Sequence, residues 1–235
     1  MLDITLDSKT SEKIEHRSLS SEAAKIIRNK IIKGDYPQGG RITEEEISNT
    51  LGVSRVCIRE SLMLLANEGL VKRVRNKYTE VVRFTLQDIK EINSLRVVIE
   101  HLCIEECLKA NKTPLQELER IQEMMKSIRA EEPIDIIKWI TTDLLFHEVI
   151  VTASGHSRAQ RVWKSLKSQI EALLYPIIMN NPSIIDSSDE YRHSEIVEAL
   201  ASKNLNRTKQ LIEKHIVSSE VFIMNDQAIA AKGTA

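Results

Sequence analysis

The 235-residue sequence has no apolar run near the ~18 residues of a bilayer span, which excludes an ordinary membrane helix. Its three cysteines have neither disulfide nor zinc-finger spacing. Cys103 and Cys107, one helical turn apart, read as core packing rather than a metal or redox pair. Glycine is scarce at seven, and five of these (Gly34, Gly39, Gly40, Gly52 and Gly69) lie in the first half. Internal repeats and low-complexity tracts are missing. The opening "MLDITLDSKTSEKIEH" is polar and unlike a secretory leader, so it reads as a flexible arm over residues 1–16 of a cytoplasmic protein.

A net charge of −1 hides an asymmetry. Residues 17–83 carry 13 Lys and Arg against 8 Asp and Glu, whereas residues 84–235 carry 18 against 22. A basic segment ahead of an acidic body suggests an anionic partner for the first. With 42% hydrophobic and 29% charged residues the chain is globular in composition and long enough for real cores. The expected division is an arm over 1–16, a basic domain over 17–83 and an all-helical domain over 84–235. In the last of these, Thr85-x-x-Asp88 resembles a capping box. Breaks at Thr113-Pro114, Pro133, Gly155, Pro182–Ser188 and Lys203 predict helices over 86–111, 114–129, 134–153, 157–180, 188–202 and 205–228.

The basic segment predicts a helix over about 20–34, the turn "GDYPQGG", and two short helices around Gly52. Thr43-x-x-Glu46 starts the first short helix and Ser54 starts the second, which runs to about Glu68. Ile47, Leu51, Val53, Ile58, Leu62 and Leu65 form a shared apolar face. That is helix-turn-helix geometry. Ser54, Arg55 and Arg59 stand near the start of the second helix, where side chains meet phosphates and guanine edges. "LVKRVRNKYTEVVRF" follows as two strand-like pieces around a polar tip, with Lys72, Arg73, Arg75 and Lys77 as further DNA contacts. The fold class is mainly α: a winged helix-turn-helix with a small β-wing, then an all-α antiparallel bundle.

Residues 24–82, with "IIRNKIIKGDYPQGGRITEEEISNTLGVSRVCIRESLMLLANEGLV" at their centre, resemble the winged helix of GntR-family bacterial regulators. The helical remainder is similar to the C-terminal domain of that family's FadR subgroup. Tyr78 departs from the pattern, standing where the family's wing tip carries glycine.

The acidic domain poses its own question in "TTDLLFHEVI". Ile136, Trp139, Ile140, Phe146 and Ile150 surround Asp143 at helical spacing, so a carboxylate sits in the middle of an apolar face with His147 one turn on. Burying it alone is costly. His193 and His215 also fall on the apolar faces of their helices. One carboxylate and three imidazoles suit Zn²⁺, Ni²⁺, Mn²⁺ or Fe²⁺ with coordination positions left open, and Zn²⁺ is the expected occupant after purification. The alternative is a metal-free hydrogen-bonded network. The resemblance implies the metal, because FadR-type domains hold one with Asp-x3-His and two later histidines, which Asp143, His147, His193 and His215 match.

Arg96 lies on or near an apolar face with Glu100 one turn on. It reads as a surface ion pair, or, as the resemblance implies, as an arginine facing an effector. His16 falls in the arm, His101 on a helix, and His156 at a helix start, unless His156 lines the pocket. These readings describe a metabolite-responsive regulator, by family default a repressor. It would bind a two-fold operator as a homodimer and sense a small carboxylate, with no membrane partner. The competing class is a metal-dependent hydrolase or lyase with a DNA-binding appendage. It lacks a placed general base, since Glu148 is rotated by about 100° from His147 on their helix.

Overall fold

Local signals along the first part of the chain become a winged helix in the computed structural model, which describes residues 9–74, 78–180, 182–185 and 188–217. The chain divides into two units, Met1–Arg83 and Phe84–Ala235. In the first, helix α1 (Lys9–Lys33) precedes strand β1 (Arg41–Ile42), helices α2 (Glu44–Leu51) and α3 (Arg55–Asn67), and strands β2 (Val71–Val74) and β3 (Tyr78–Val81). Thr43 caps α2 by accepting from Glu46 N, and Ser54 caps α3 by accepting from Cys57 N. Gly52 closes α2 at φ 66°, a left-handed conformation that glycine takes without a Cβ clash. Ile27 of α1, Ile47 of α2, and Ile58 and Leu65 of α3 are almost fully buried. Each contributes roughly 1.5–3 kcal/mol of burial. Arg28 pins α1 to the end of α3 through two bonds to Glu68, at 2.7 and 2.5 Å.

Three expectations are corrected here. The helix expected from about residue 20 begins at Lys9, inside the segment read as an arm. The stretch has no glycine or proline and is rich in good helix formers, so nothing in it stops the helix. Residues 1–8 lie outside the described residues. The wing has three strands in the order β1-β3-β2, all antiparallel, where two were expected. A two-residue strand has too little alternation to be read locally. Tyr78 is not the wing tip: it opens β3, pairs with Val74 across the hairpin, and lies 4.7 Å beneath the Arg41 guanidinium. Arg75 and Lys77 fall outside the described residues.

The second unit is a helical bundle: α4 (Leu86–Lys109), α5 (Leu115–Arg129), α6 (Ile136–Ala153), α7 (Ser157–Asn180), a 3₁₀ turn (Pro182–Ile185), α8 (Ser188–Ala201) and α9 (205–217). The Thr85–Asp88 capping box starts α4. Residues 218–228 of the last expected helix lie outside the described residues. Helix α6 packs against α4, α5 and α7. Trp139, Thr142, Asp143, Leu144, Phe146, His147, Ile150 and Val151 are all buried and cover most of its circumference. A helix that is apolar nearly all round belongs in the middle of a core, and this one takes Asp143 and His147 there. Cys103 and Cys107 are fully buried in the same unit.

Candidate functional site

Four side chains from three helices converge inside the second unit. Helix α6 supplies Asp143 and His147, α8 supplies His193, and α9 supplies His215; all four are buried. One ligand-type atom from each lies within 4.8 Å of every other. Asp143 Oδ1 is 3.2 Å from His193 Nε2 and 3.7 Å from His215 Nε2. His147 Nε2 faces His215 Nε2 at 3.2 Å, and their rings stack at 5.0 Å between centroids. Phe146 walls the cluster with its ring edge against His193.

Glu100, for which a surface pair with Arg96 was one of the two readings, is fully buried and links that arginine to the cluster. Its Oε1 accepts from Arg96 Nε at 2.8 Å and its Oε2 lies 2.6 Å from His147 Nδ1. Arg96 is itself buried and lies 5.7 Å from the Trp163 ring. The contact fixes a tautomer: a proton on His147 Nδ1 bonds to the carboxylate and leaves Nε2 a lone pair aimed at the other ligand atoms. The signal was present in the sequence as Arg96-x-x-x-Glu100 on an apolar face. Nothing local, however, brings His147 to Glu100.

Burial lowers the pKa of His147, with Arg96 adding to it, and Glu100 and Asp143 do not fully compensate. Burial also holds His215 well below the ordinary imidazole range, reinforced by His193. Burial alone would raise the pKa of Asp143, but the close approach of His193, with His147 and His215, outweighs it. Glu100 is likewise lowered against its burial by His147 and Arg96. Burial thus favours neutral imidazoles at His147 and His215, the state in which they can ligate a metal. Three nitrogens and an oxygen in mutual reach, with a carboxylate behind one imidazole, fit a divalent transition ion.

His101 and His156 stand apart. His156 Nδ1 accepts from Ala159 N at the start of α7, a helix-start role, and His101 Nε2 bonds the Lys209 carbonyl oxygen. Glu148, the nearest acid in sequence, pairs with Lys167 at 2.5 Å.

In the first unit Ser54, Arg55 and Arg59 stand at the exposed start of α3. Ser54 uses its hydroxyl oxygen as the cap. Arg55 and Arg59 reach back to α2: Arg55 Nη2 to Glu45 at 2.5 Å, and Arg59 to Glu44 through two bonds. These carboxylate partners were not expected from the sequence. Lys72 pairs across the wing with Glu80 at 3.0 Å, and Arg73 is exposed. Arg41, Arg59 and Arg73 line one open cleft of about 340 Å³ with Thr43, Glu44 and Tyr78.

A winged helix-turn-helix joined to an all-helical domain with a buried ligand cluster is the architecture of a DNA-binding regulator. Residues 19–81 match the bacterial regulatory proteins of the gntR family, and residues 91–218 match the FCD domain. The chain belongs to the gntR family, with an FCD domain as its C-terminal part. It is 34% identical over 150 residues to the gluconate operon transcriptional repressor of Bacillus subtilis (strain 168), covering 63% of this chain and only 60% of that protein. A GntR transcriptional regulator from Rhodococcus sp. RHA1 shares the fold at 24% identity and TM-score 0.74, over 88% of this chain and 98% of that one. Escherichia coli McbR/YncC does so at 18% identity and TM-score 0.75, over 89% and 98%. The matching family is one of bacterial regulatory proteins, and the Bacillus subtilis relative is a transcriptional repressor. Among the described residues no helix is long and apolar enough to cross a membrane.

Proposed function

We propose that this regulator is a cytoplasmic, dimeric repressor whose helical unit holds a divalent metal and senses a small organic acid. The observation that carries the reading is the buried cluster of Asp143, His147, His193 and His215 beside Arg96. A divalent ion held by these four would supply Lewis-acid positions able to take a carboxylate oxygen. The chain supplies the rest. Arg96 Nη2 and Asn93 Nδ2 on α4, and Trp163 Nε1 on α7, are buried donors with no hydrogen-bond partner among the described residues. Buried donors without acceptors cost about 1–3 kcal/mol each, and an anionic oxygen-rich ligand relieves that cost. Arg96 uses Nε on Glu100 and keeps Nη2 for such a ligand.

Calorimetric titration with a panel of mono- and dicarboxylates tests this. Metal-loaded protein is expected to bind at least one of them saturably, and Arg96→Ala to weaken that binding tenfold or more, about 1.4 kcal/mol. Equal binding by metal-free protein would place the sensing away from the metal.

The repressor direction is supported by the likeness to the gluconate operon repressor. Response requires a link to DNA, and only residues 82–85 separate β3 from α4, the helix that carries Arg96 and Glu100. A ligand that favours one packing of α4 over another by about 1.4 kcal/mol changes DNA affinity tenfold.

Dimerisation is supported by α4 itself. Leu95, Val98 and Leu102 recur at coiled-coil spacing on its exposed face, and Val98, near the middle of the helix, is 63% exposed. An apolar stripe centred on a helix can pack on its own copy about a two-fold axis, matching a two-fold operator. Val98→Glu is expected to yield monomer by light scattering at concentrations where the wild type is dimeric. It should also weaken operator binding more than tenfold, because each monomer keeps only one DNA-reading module. A dimeric Val98→Glu protein would assign self-association to another face.

A further inference from the structure

Glu44 opens α2 directly after the Thr43 cap, and its carboxylate meets Arg59 of α3 in a fork. Arg59 Nε donates to Oε1 at 3.0 Å and Nη2 donates to Oε2 at 2.8 Å. A guanidinium has five N–H groups, and this contact takes the side edge: Nε–H and one Nη2–H. The end edge, one N–H each from Nη1 and Nη2, is not used by Glu44. Guanine offers O6 and N7 on its major-groove edge, spaced to accept from two arginine N–H groups at once. The geometry is therefore compatible with one arginine gripping a carboxylate and a guanine together.

The neighbouring pair differs. Arg55 touches Glu45 through one nitrogen, and both side chains are at least 60% exposed. A single exposed contact of that kind orients little. Glu44 is only 27% exposed and sits in the cleft with Arg73. Its hydrogen bond with Arg59 holds its carboxyl below the ordinary range, against a partial burial that works the other way, so it is ionised at working pH.

Resting on the reading of Arg59 as a base-reading side chain, we propose that Glu44 is a positioning residue for operator recognition. It holds the side edge of Arg59 and presents the end edge to a guanine. The rotamer freedom of a long arginine is then lost before DNA arrives rather than on binding. A carboxylate in a cationic cleft also disfavours phosphate, so the same residue lowers affinity for unrelated DNA. Both effects raise discrimination.

The test uses full-length protein and three probes: a duplex selected by the wild type from a randomised pool, the same duplex with 7-deazaguanine at each guanine in turn, and an unrelated duplex of equal length. Wild type is expected to lose about tenfold at one guanine per half-site when N7 is removed. Arg59→Ala should no longer sense that change. Glu44→Ala should also stop sensing it, within about twofold, while binding the unrelated duplex at least as tightly as wild type. Glu44→Gln, which keeps one acceptor oxygen, should fall between. If Arg59→Ala still senses N7, the reading of Arg59 is wrong. If Arg59→Ala is blind to it and Glu44→Ala is not, the role of Glu44 is overturned. Equal weakening of Glu44→Ala on selected and unrelated duplexes, or tighter binding to the selected one, overturns it as well.

Discussion

Purified protein is expected to carry about one divalent transition-metal ion per chain by elemental analysis, and to lose thermal stability when a chelator removes it. The size of the loss follows from linkage. An ion at a thousand times its Kd stabilises the folded state by about 4 kcal/mol. At roughly 2–4 °C per kcal/mol for a unit of this size, the melting temperature should drop by about 10 °C. Asp143→Asn and His193→Ala remove ligands outright and should abolish the shift. Glu100→Gln keeps the shape but removes the charge facing His147 Nδ1, and is expected to weaken metal binding about 10- to 100-fold. Acid should release the ion only well below neutrality, because burial keeps His147 and His215 from taking protons at the ordinary imidazole pH. Metal-free protein whose melting temperature ignores added Zn²⁺, Ni²⁺ and Mn²⁺ would show that the cluster is only a hydrogen-bonded network.

Arg59→Ala is expected to weaken binding to a selected operator by about tenfold for each half-site, and about a hundredfold on a two-fold site where both copies are lost. Arg55→Ala should act in the same direction if its side chain also reaches a base edge. Both changes should leave the affinity for unrelated DNA nearly untouched, since a base contact adds little to non-specific binding. Lys72→Ala and Arg73→Ala mark the contrast. They should weaken selected and unrelated duplexes alike and lower the salt dependence of log K by about one per phosphate contact removed. Anisotropy titrations at several salt concentrations separate the two behaviours. Wild-type operator affinity in both Arg55→Ala and Arg59→Ala would mean that α3 is not the reading helix.

By itself, the sequence determined those features that depend on near neighbours along the chain. Thr43, Ser54 and the Thr85–Asp88 box are caps whose partners lie three residues away, so the starts of α2, α3 and α4 were legible. Gly52 marked the turn because few other residues tolerate its backbone. Helical period placed Asp143, His147, His193 and His215 on inward faces, since a face is defined within one helix. The tertiary structure alone decided what those faces meet. That the four ligand atoms lie within 4.8 Å of one another depends on how α6, α8 and α9 pack. That Glu100 braces His147, across a separation of 47 residues, depends on α4 lying against α6. The grip of Glu44 on Arg59 and the pairing of Tyr78 with Val74 instead of a place at the wing tip are decisions of the same kind. Periodicity carries the direction of a side chain out of its own element and contains nothing about the distance to the next. That distance is set by side-chain volumes and helix crossings across the whole core, which no local stretch encodes.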